Sequence, residues 1–235
     1  MNKITLKKFQ KLSLLFFIYL SYLSSYGQIE INTWEDLDNL RNDLSANYIL
    51  NVDLNENSVG YQTYASASAN ANDGWEPIGS ASSPFTGTFD GNNKTINGLV
   101  INRPTLAGVG FFGGAHGASI SDLTLTNVDI TGSHEVGSLI GTNISGTVTQ
   151  VNNVHVTGAV TSARTGSKAA DCGGLLGFVY NINVINSSTS VVVTAEGRNV
   201  GGIVGDGTTD SWFSGCFATG SVTSTGNQGH VGGFA

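Results

Sequence analysis

From residue 106 onward, apolar and polar positions alternate in short bursts with a period of two, the period of a half-buried strand. The bursts are Val128-Asp129-Ile130-Thr131, Ala159-Val160-Thr161-Ser162, Val191-Val192-Val193-Thr194 and Ser221-Val222-Thr223-Ser224. β-branched residues dominate them, as strands prefer. No 3.6-residue apolar stripe runs through this part of the chain, and no proline follows Pro104. Each burst is preceded by a second pattern. Ile120-x-x-Leu123-x-Leu125 matches Val151-x-x-Val154-x-Val156, and more weakly Ile185-x-x-Ser188 and Phe213-x-x-Cys216. A third pattern opens each unit: VGFFGGA at 109–115, VGSLIGT at 136–142, CGGLLGF at 172–178, VGGIVGD at 200–206 and VGGFA at 231–235. Its first glycines, Gly110, Gly137, Gly173, Gly201 and Gly232, are spaced by 27, 36, 28 and 31 residues. The longest spacing contains the polar segment SARTGSKAAD, which reads as a loop insertion.

Three short strands per unit predict an all-β fold, a parallel β-helix or β-solenoid, right-handed by analogy with the commoner β-helices. One coil cannot bury its apolar face alone, whereas coils stacked about 4.8 Å apart can. Each buried Val, Leu or Ile contributes roughly 1.5–3 kcal/mol. Each strand glycine costs about 0.5–1 kcal/mol relative to Ala. A glycine pattern repeated in every unit therefore implies tight corners or close backbone stacking.

The region 28–105 reads differently. Ile29 to Ile31 and Tyr48 to Leu54 are predicted strands. Between them Trp34, Leu37, Leu40 and Leu44 share one face of a predicted helix over 34–44, with Thr33 as N-cap and Asp36 at the capping-box position. This short N-terminal α-helix is expected to cap the solenoid and block edge pairing. Residues 55–74 read as an exposed polar loop, and Trp75 to Ile78, Phe85 to Phe89 and Thr95 to Ile101 as the first coils. Residues 106–235 form the repeat array. It breaks off within the motif at Ala235, so further repeats, a C-terminal domain or a partner are expected to complete it.

Residues 1–27 read as a secretory signal peptide. Lys3, Lys7, Lys8 and Lys11 precede the apolar run Leu12 to Leu23, and Ser25 and Gly27 supply the small residues before a cut at Gln28. The run is shorter than the ~20 residues of a spanning helix. A secreted or cell-surface location follows, with no membrane insertion after cleavage. The whole chain carries 17 acidic and 10 basic residues. Removing the leader leaves 6 basic residues and a net charge of −11, which argues against nucleic acid as a partner. Cys172 falls at the motif position of Val136 and Val200, and Cys216 at that of Leu123 and Val154. Two buried thiols are favoured over one bridge, although export would permit a bridge.

The repeat resembles the GLUG motif of bacterial secreted and surface proteins. The resemblance rests on GFFGG (Gly110 to Gly114), GSLIG (Gly137 to Gly141), GGLLG (Gly173 to Gly177) and GGIVG (Gly201 to Gly205), with WEPIG (Trp75 to Gly79) and FTGTFDGNNKTINGLVI (Phe85 to Ile101) ahead of them. It implies an extracellular β-helix with adhesion as the broad role. In some IgA-cleaving metallopeptidases such repeats form an accessory region.

Candidate chemistry is sparse. His116, His134, His155 and His230 form no HExxH motif, and no GxSxG elbow is present. Candidate carboxylates for a lyase or hydrolase are Asp122, Asp129 and Glu135, or Asp206 and Asp210, with Arg164, Lys168 and Arg198 as the bases of the repeat zone. DGNNK (Asp90 to Lys94) reads as a tight turn rather than a calcium loop. Thr124/Thr126, Thr147/Thr149, Thr157/Thr161 and Thr223/Thr225 do not form a regular rank. No catalytic residue, cofactor or metal site is assigned. Tyr61, Tyr64 and Trp212 are the candidate ligand contacts. The expectation is a non-catalytic repeat domain for adhesion or scaffolding, with a host or neighbouring-cell surface protein or glycan as partner. The alternative is a β-helix carbohydrate-active enzyme or the accessory region of a larger secreted peptidase.

Overall fold

The computed structural model describes residues 27–166, 168–208, 210–226 and 230–234. The signal-peptide reading of 1–27 lies, but for Gly27, outside them. The chain winds into a parallel β-solenoid. Strands Gln28–Ile31, Asn47–Leu50, Thr88–Asn97, Ser119–Gly132, Thr149–Ser162, Ile182–Ile185 and Trp212–Ser214 pair in that order, each with the next winding. Two smaller sheets close the coil. One joins Phe112–Ala115, Ile140–Asn143, Leu176–Val179 and Val204–Gly207; the other joins Ala169–Gly173, Arg198–Gly201 and Val231–Gly232.

The five motif copies lie directly above one another. Val109, Val136, Cys172, Val200 and Val231 form one rank, so Cys172 occupies its predicted position and is fully buried. A second inward rank runs Phe112, Ile140, Leu176, Val204. A third runs Ile130, Val160, Val193, Val222. In the third unit, the one opened by Cys172, the predicted register slips by one residue. Val184, not Ile185, stacks on Val151 and beneath Phe213. Ser187 rather than Ser188 therefore faces inward and is fully buried. A polar residue at a core position disguised the frame. Its hydroxyl accepts from the Val154 N–H at 3.1 Å and donates to the Ile185 carbonyl at 2.9 Å.

The motif glycines serve close approach rather than bending. A Cβ on Gly141, Gly177 or Gly205 would strike backbone of the residues that open a neighbouring coil, Gly108–Val109, Glu135–Val136 and Asp171–Cys172 respectively, and none of these glycines has a positive φ. Many bends are made instead by Asn and Asp in the left-handed region: Asp122, Asn127, Asn153, Asp171, Asn186 and Asn199. Short side chains that bond to nearby polar groups tolerate this conformation best.

The N-terminal region carries the expected short helix, shorter than its apolar spacing implied. An α-helix covers Trp34–Asp38 and a 3₁₀ turn Asn39–Asn42, so the helix stops short of Leu44. Thr33 caps it by accepting from Asp36 N–H at 3.1 Å, while the Asp36 carboxylate accepts from Asn32 N–H at 3.0 Å. Asn39, Asn42 and Asp43 are poor interior formers because their side chains compete for backbone groups. The helix is one leg of the first winding, between two parallel strands. Strand Gln28–Ile31, and not the helix, is the outer edge of the sheet among the described residues. Nor is 55–74 a plain exposed loop. It holds a helical turn at Tyr61–Tyr64, and Ala65, Ser66 and Ala69 are buried.

The core grades from aromatic to aliphatic along the axis. Trp34, Trp75, Phe85, Phe89, Phe111 and Phe112 are fully buried at the N-terminal end. Trp75 stacks on Phe111 at 5.9 Å and Phe85 on Phe112 at 4.7 Å. Later windings use Val, Ile and Leu.

Candidate functional site

The residue just before each motif copy holds a corner of the solenoid: Gly108, Glu135, Asp171, Asn199 and His230. The first four have positive φ, from 44° to 68°, and backbone bonds link them coil to coil. This stacks titratable and amide groups on one edge. The Asn199 amide donates to Asp171 at 2.8 Å and to Asp206 at 3.0 Å, and its carbonyl lies 3.2 Å from His230 Nδ1. Burial pushes the Asp171 carboxyl above the usual carboxylate range; the Asn199 bond opposes this, and the Asp206 charge adds to it. Burial likewise raises Glu135, against the charge of His134 and with that of Asp171.

Two carboxylates sharing one amide nitrogen have the composition of an acid–base pair. Retaining and inverting glycosidases, however, hold their carboxyls about 5–10 Å apart with the sugar or water between them. Here the Asn199 amide fills that space. Sequence reasoning named Asp206 and Glu135 but paired Asp206 with Asp210 and missed Asp171. The signal was present, since Asp171 precedes Cys172 as Glu135 precedes Val136. Asp122 lies on a different corner, where its carboxylate accepts from the Asn153 amide at 2.7 Å. Among the described residues, no group of three or more His, Cys, Asp and Glu is arranged to hold a metal ion. The Asp90 carboxylate accepts from Asn92 N–H at 2.7 Å, which closes the DGNNK turn on itself.

The outward faces carry regular polar ranks. Asn102, Thr131, Thr161, Thr194 and Thr223 align across five windings, a Thr rank more regular than motif offsets had implied. A second rank, Thr88, Ser119, Gln150, Asn183 and Trp212, runs at the other end of these strands, separated from the first by the corners at Asp122 and Asn127. Trp212 is 62% exposed at the end of that rank. Tyr61 and Tyr64 are placed otherwise. Both pack partly buried against the core, with the Tyr61 ring 5.6 Å from Trp34 and its hydroxyl donating to the Gly98 carbonyl. The structure does not bring them together with Trp212, which lies in the last winding while they belong to an early one. A separate cleft of about 230 Å³ opens beside the first strand, lined by Glu30, Asp36, Asn39, Asn42, Asp43 and Tyr48 among others.

No family model matches the chain. It is 33% identical over 184 residues to halomucin of Haloquadratum walsbyi, covering 74% of this chain and 2% of halomucin. It is 29% identical over 193 residues to an immunoglobulin A1 protease of Streptococcus sanguinis, covering 78% of this chain and 9% of that protein. The chain thus spans a small part of the curated relatives it matches. A solved Bacteroides ovatus structure, named as a candidate immunoglobulin A1 protease, shares the fold with a TM-score of 0.66 at 20% identity, over 88% of this chain and 60% of that one.

Proposed function

We propose that this region is an accessory, non-catalytic extracellular β-solenoid of the GLUG type, which binds surface glycan or protein through its outward faces. The observation that carries the reading is the outward rank Thr131, Thr161, Thr194 and Thr223, with a second rank of hydroxyl and amide side chains on another face that ends in exposed Trp212. Ranks of hydroxyls and amides at the coil spacing, one of them ending in an aromatic ring, offer hydrogen bonds and a stacking face to sugars. The N-terminal leader pattern supports export, and likeness to segments of halomucin and immunoglobulin A1 proteases supports an accessory place in a larger protein.

The test is a glycan array probed with residues 28–235. Retained glycans whose binding falls severalfold in Trp212→Ala and in Thr161→Ala/Thr194→Ala support the reading, and EDTA is expected to leave both binding and the melting temperature unchanged. The second reading, a carbohydrate-active enzyme, draws on the Asp171–Asp206 pair. Release of reducing ends or unsaturated uronate from a polysaccharide panel, lost in Asp206→Asn, would establish it and displace the first.

A further inference from the structure

We propose that Ser188 is an activated nucleophile, a surface hydroxyl that accepts acyl groups from small activated acyl donors with His155 as its base. Four side chains from three successive windings form a directed chain on one outward face. Asp122 accepts from the Asn153 amide nitrogen at 2.7 Å. His155 Nε2 lies 3.1 Å from the Asn153 amide oxygen, and His155 Nδ1 lies 2.8 Å from Ser188 Oγ. Donor and acceptor roles follow from the far end. A carboxylate can only accept, so the Asn153 NH₂ turns toward Asp122 and its oxygen toward the imidazole. That oxygen can only accept, so the neutral ring carries its proton on Nε2. Nδ1 is then a lone pair, and the bond at 2.8 Å runs from the Ser188 hydroxyl to it. A base within hydrogen-bond reach of a hydroxyl, itself oriented by a third group, is the arrangement that activates a nucleophile.

The backbone holds this geometry. Ser188 pairs directly with His155, and Asn153 and Asp122 occupy equivalent left-handed corners. The same rank continues with Thr124 and Thr95 on one side of His155 and Phe217 beyond Ser188, none of them charged. Ser187 and Thr189 on either side point into the core, so Ser188 alone of the three presents its hydroxyl outward. The step balances within the site. Ser188 Oγ attacks the acyl carbon, the bond from that carbon to the leaving oxygen breaks, and His155 takes the hydroxyl proton at Nδ1 and passes it to the leaving group.

The proposal stands apart from the binding reading above. Its probe is p-nitrophenyl acetate on the folded chain, with the adduct located by peptide mass spectrometry. Acetyl-Ser188 is expected to form in excess over the outward serines Ser121 and Ser190. His155→Gln, folded by its circular dichroism and melting temperature, is expected to slow it by about 100-fold, the usual contribution of a positioned general base. Asp122→Asn, which releases the direction of the Asn153 amide and suits the same corner, is expected to slow it less. Labelling of Ser188 no faster than of Ser190, or equal labelling in His155→Gln, would overturn the assignment.

Discussion

Burial decides how the corner carboxylates behave. Asp171 and Glu135 both have folded-state pKa values raised above the ordinary range. Between those raised values and the unfolded value near 4, the folded chain binds more protons than the unfolded one. Stability therefore grows as pH falls through that window and is lost as pH rises above it. Asp171→Asn is expected to raise the urea midpoint at neutral pH and to flatten its pH dependence; an unchanged profile would show that burial of this carboxyl costs nothing. The stacking of these residues was readable once each motif copy was extended by one residue toward its N-terminus. The bridge by Asn199 was not, because the order of residues says nothing about which of two neighbouring carboxylates an amide will face. The His155–Ser188 contact was hidden for another reason. Assigning Ser188 to the core frame turned it inward, and only the buried hydroxyl of Ser187 corrects that frame.

At the scale of the element, glycine is where the prediction was half right. Recurrent glycines did announce stacked coils, and the ranks of Val109 and its counterparts confirm the vertical alignment. Their role is contact, whereas turning falls to Asn and Asp, whose left-handed backbone is a local matter that alternation of apolar residues does not report. The three atoms nearest a Cβ on Gly177 are all backbone, of Glu135, Val136 and Gly141, and backbone in a ladder has little room to move. Gly177→Ala is expected to cost at least ~1–3 kcal/mol, the scale of overpacking. Gly207→Ala places its Cβ 3.6 Å from a Val179 methyl with no other strain, and should change stability by less than about 1 kcal/mol. Equal denaturation midpoints for the two variants would refute the close-approach role. The helix illustrates the opposite limit of legibility. Its start was fixed by Thr33 and Asp36, yet its end depended on side chains competing for the backbone, and its place inside a winding depended on the pairing of strands it does not contain.

For the molecule as a whole, the two ends differ. The first windings are filled with aromatic rings. In the last described winding, Trp212, Phe217 and Val231 are at least half exposed, and Phe213 and Cys216, inward by register, are only partly buried. Exposed apolar surface beside unpaired strands favours association. Purified 28–235 is expected to self-associate with rising concentration in sedimentation velocity, and Phe217→Lys with Val231→Lys to return it to a monomer. A monomer at every concentration would refute this expectation for the 28–235 segment.

The gradient of ring size along the axis also supplies a built-in readout. Trp34 and Trp75 are wholly enclosed at one extremity, while Trp212 faces solvent at the other. Their indoles should therefore emit at different wavelengths, the enclosed pair to the blue. If the array frays from its aliphatic extremity, spectral change on denaturation will arrive in two stages, with the blue emission surviving longest.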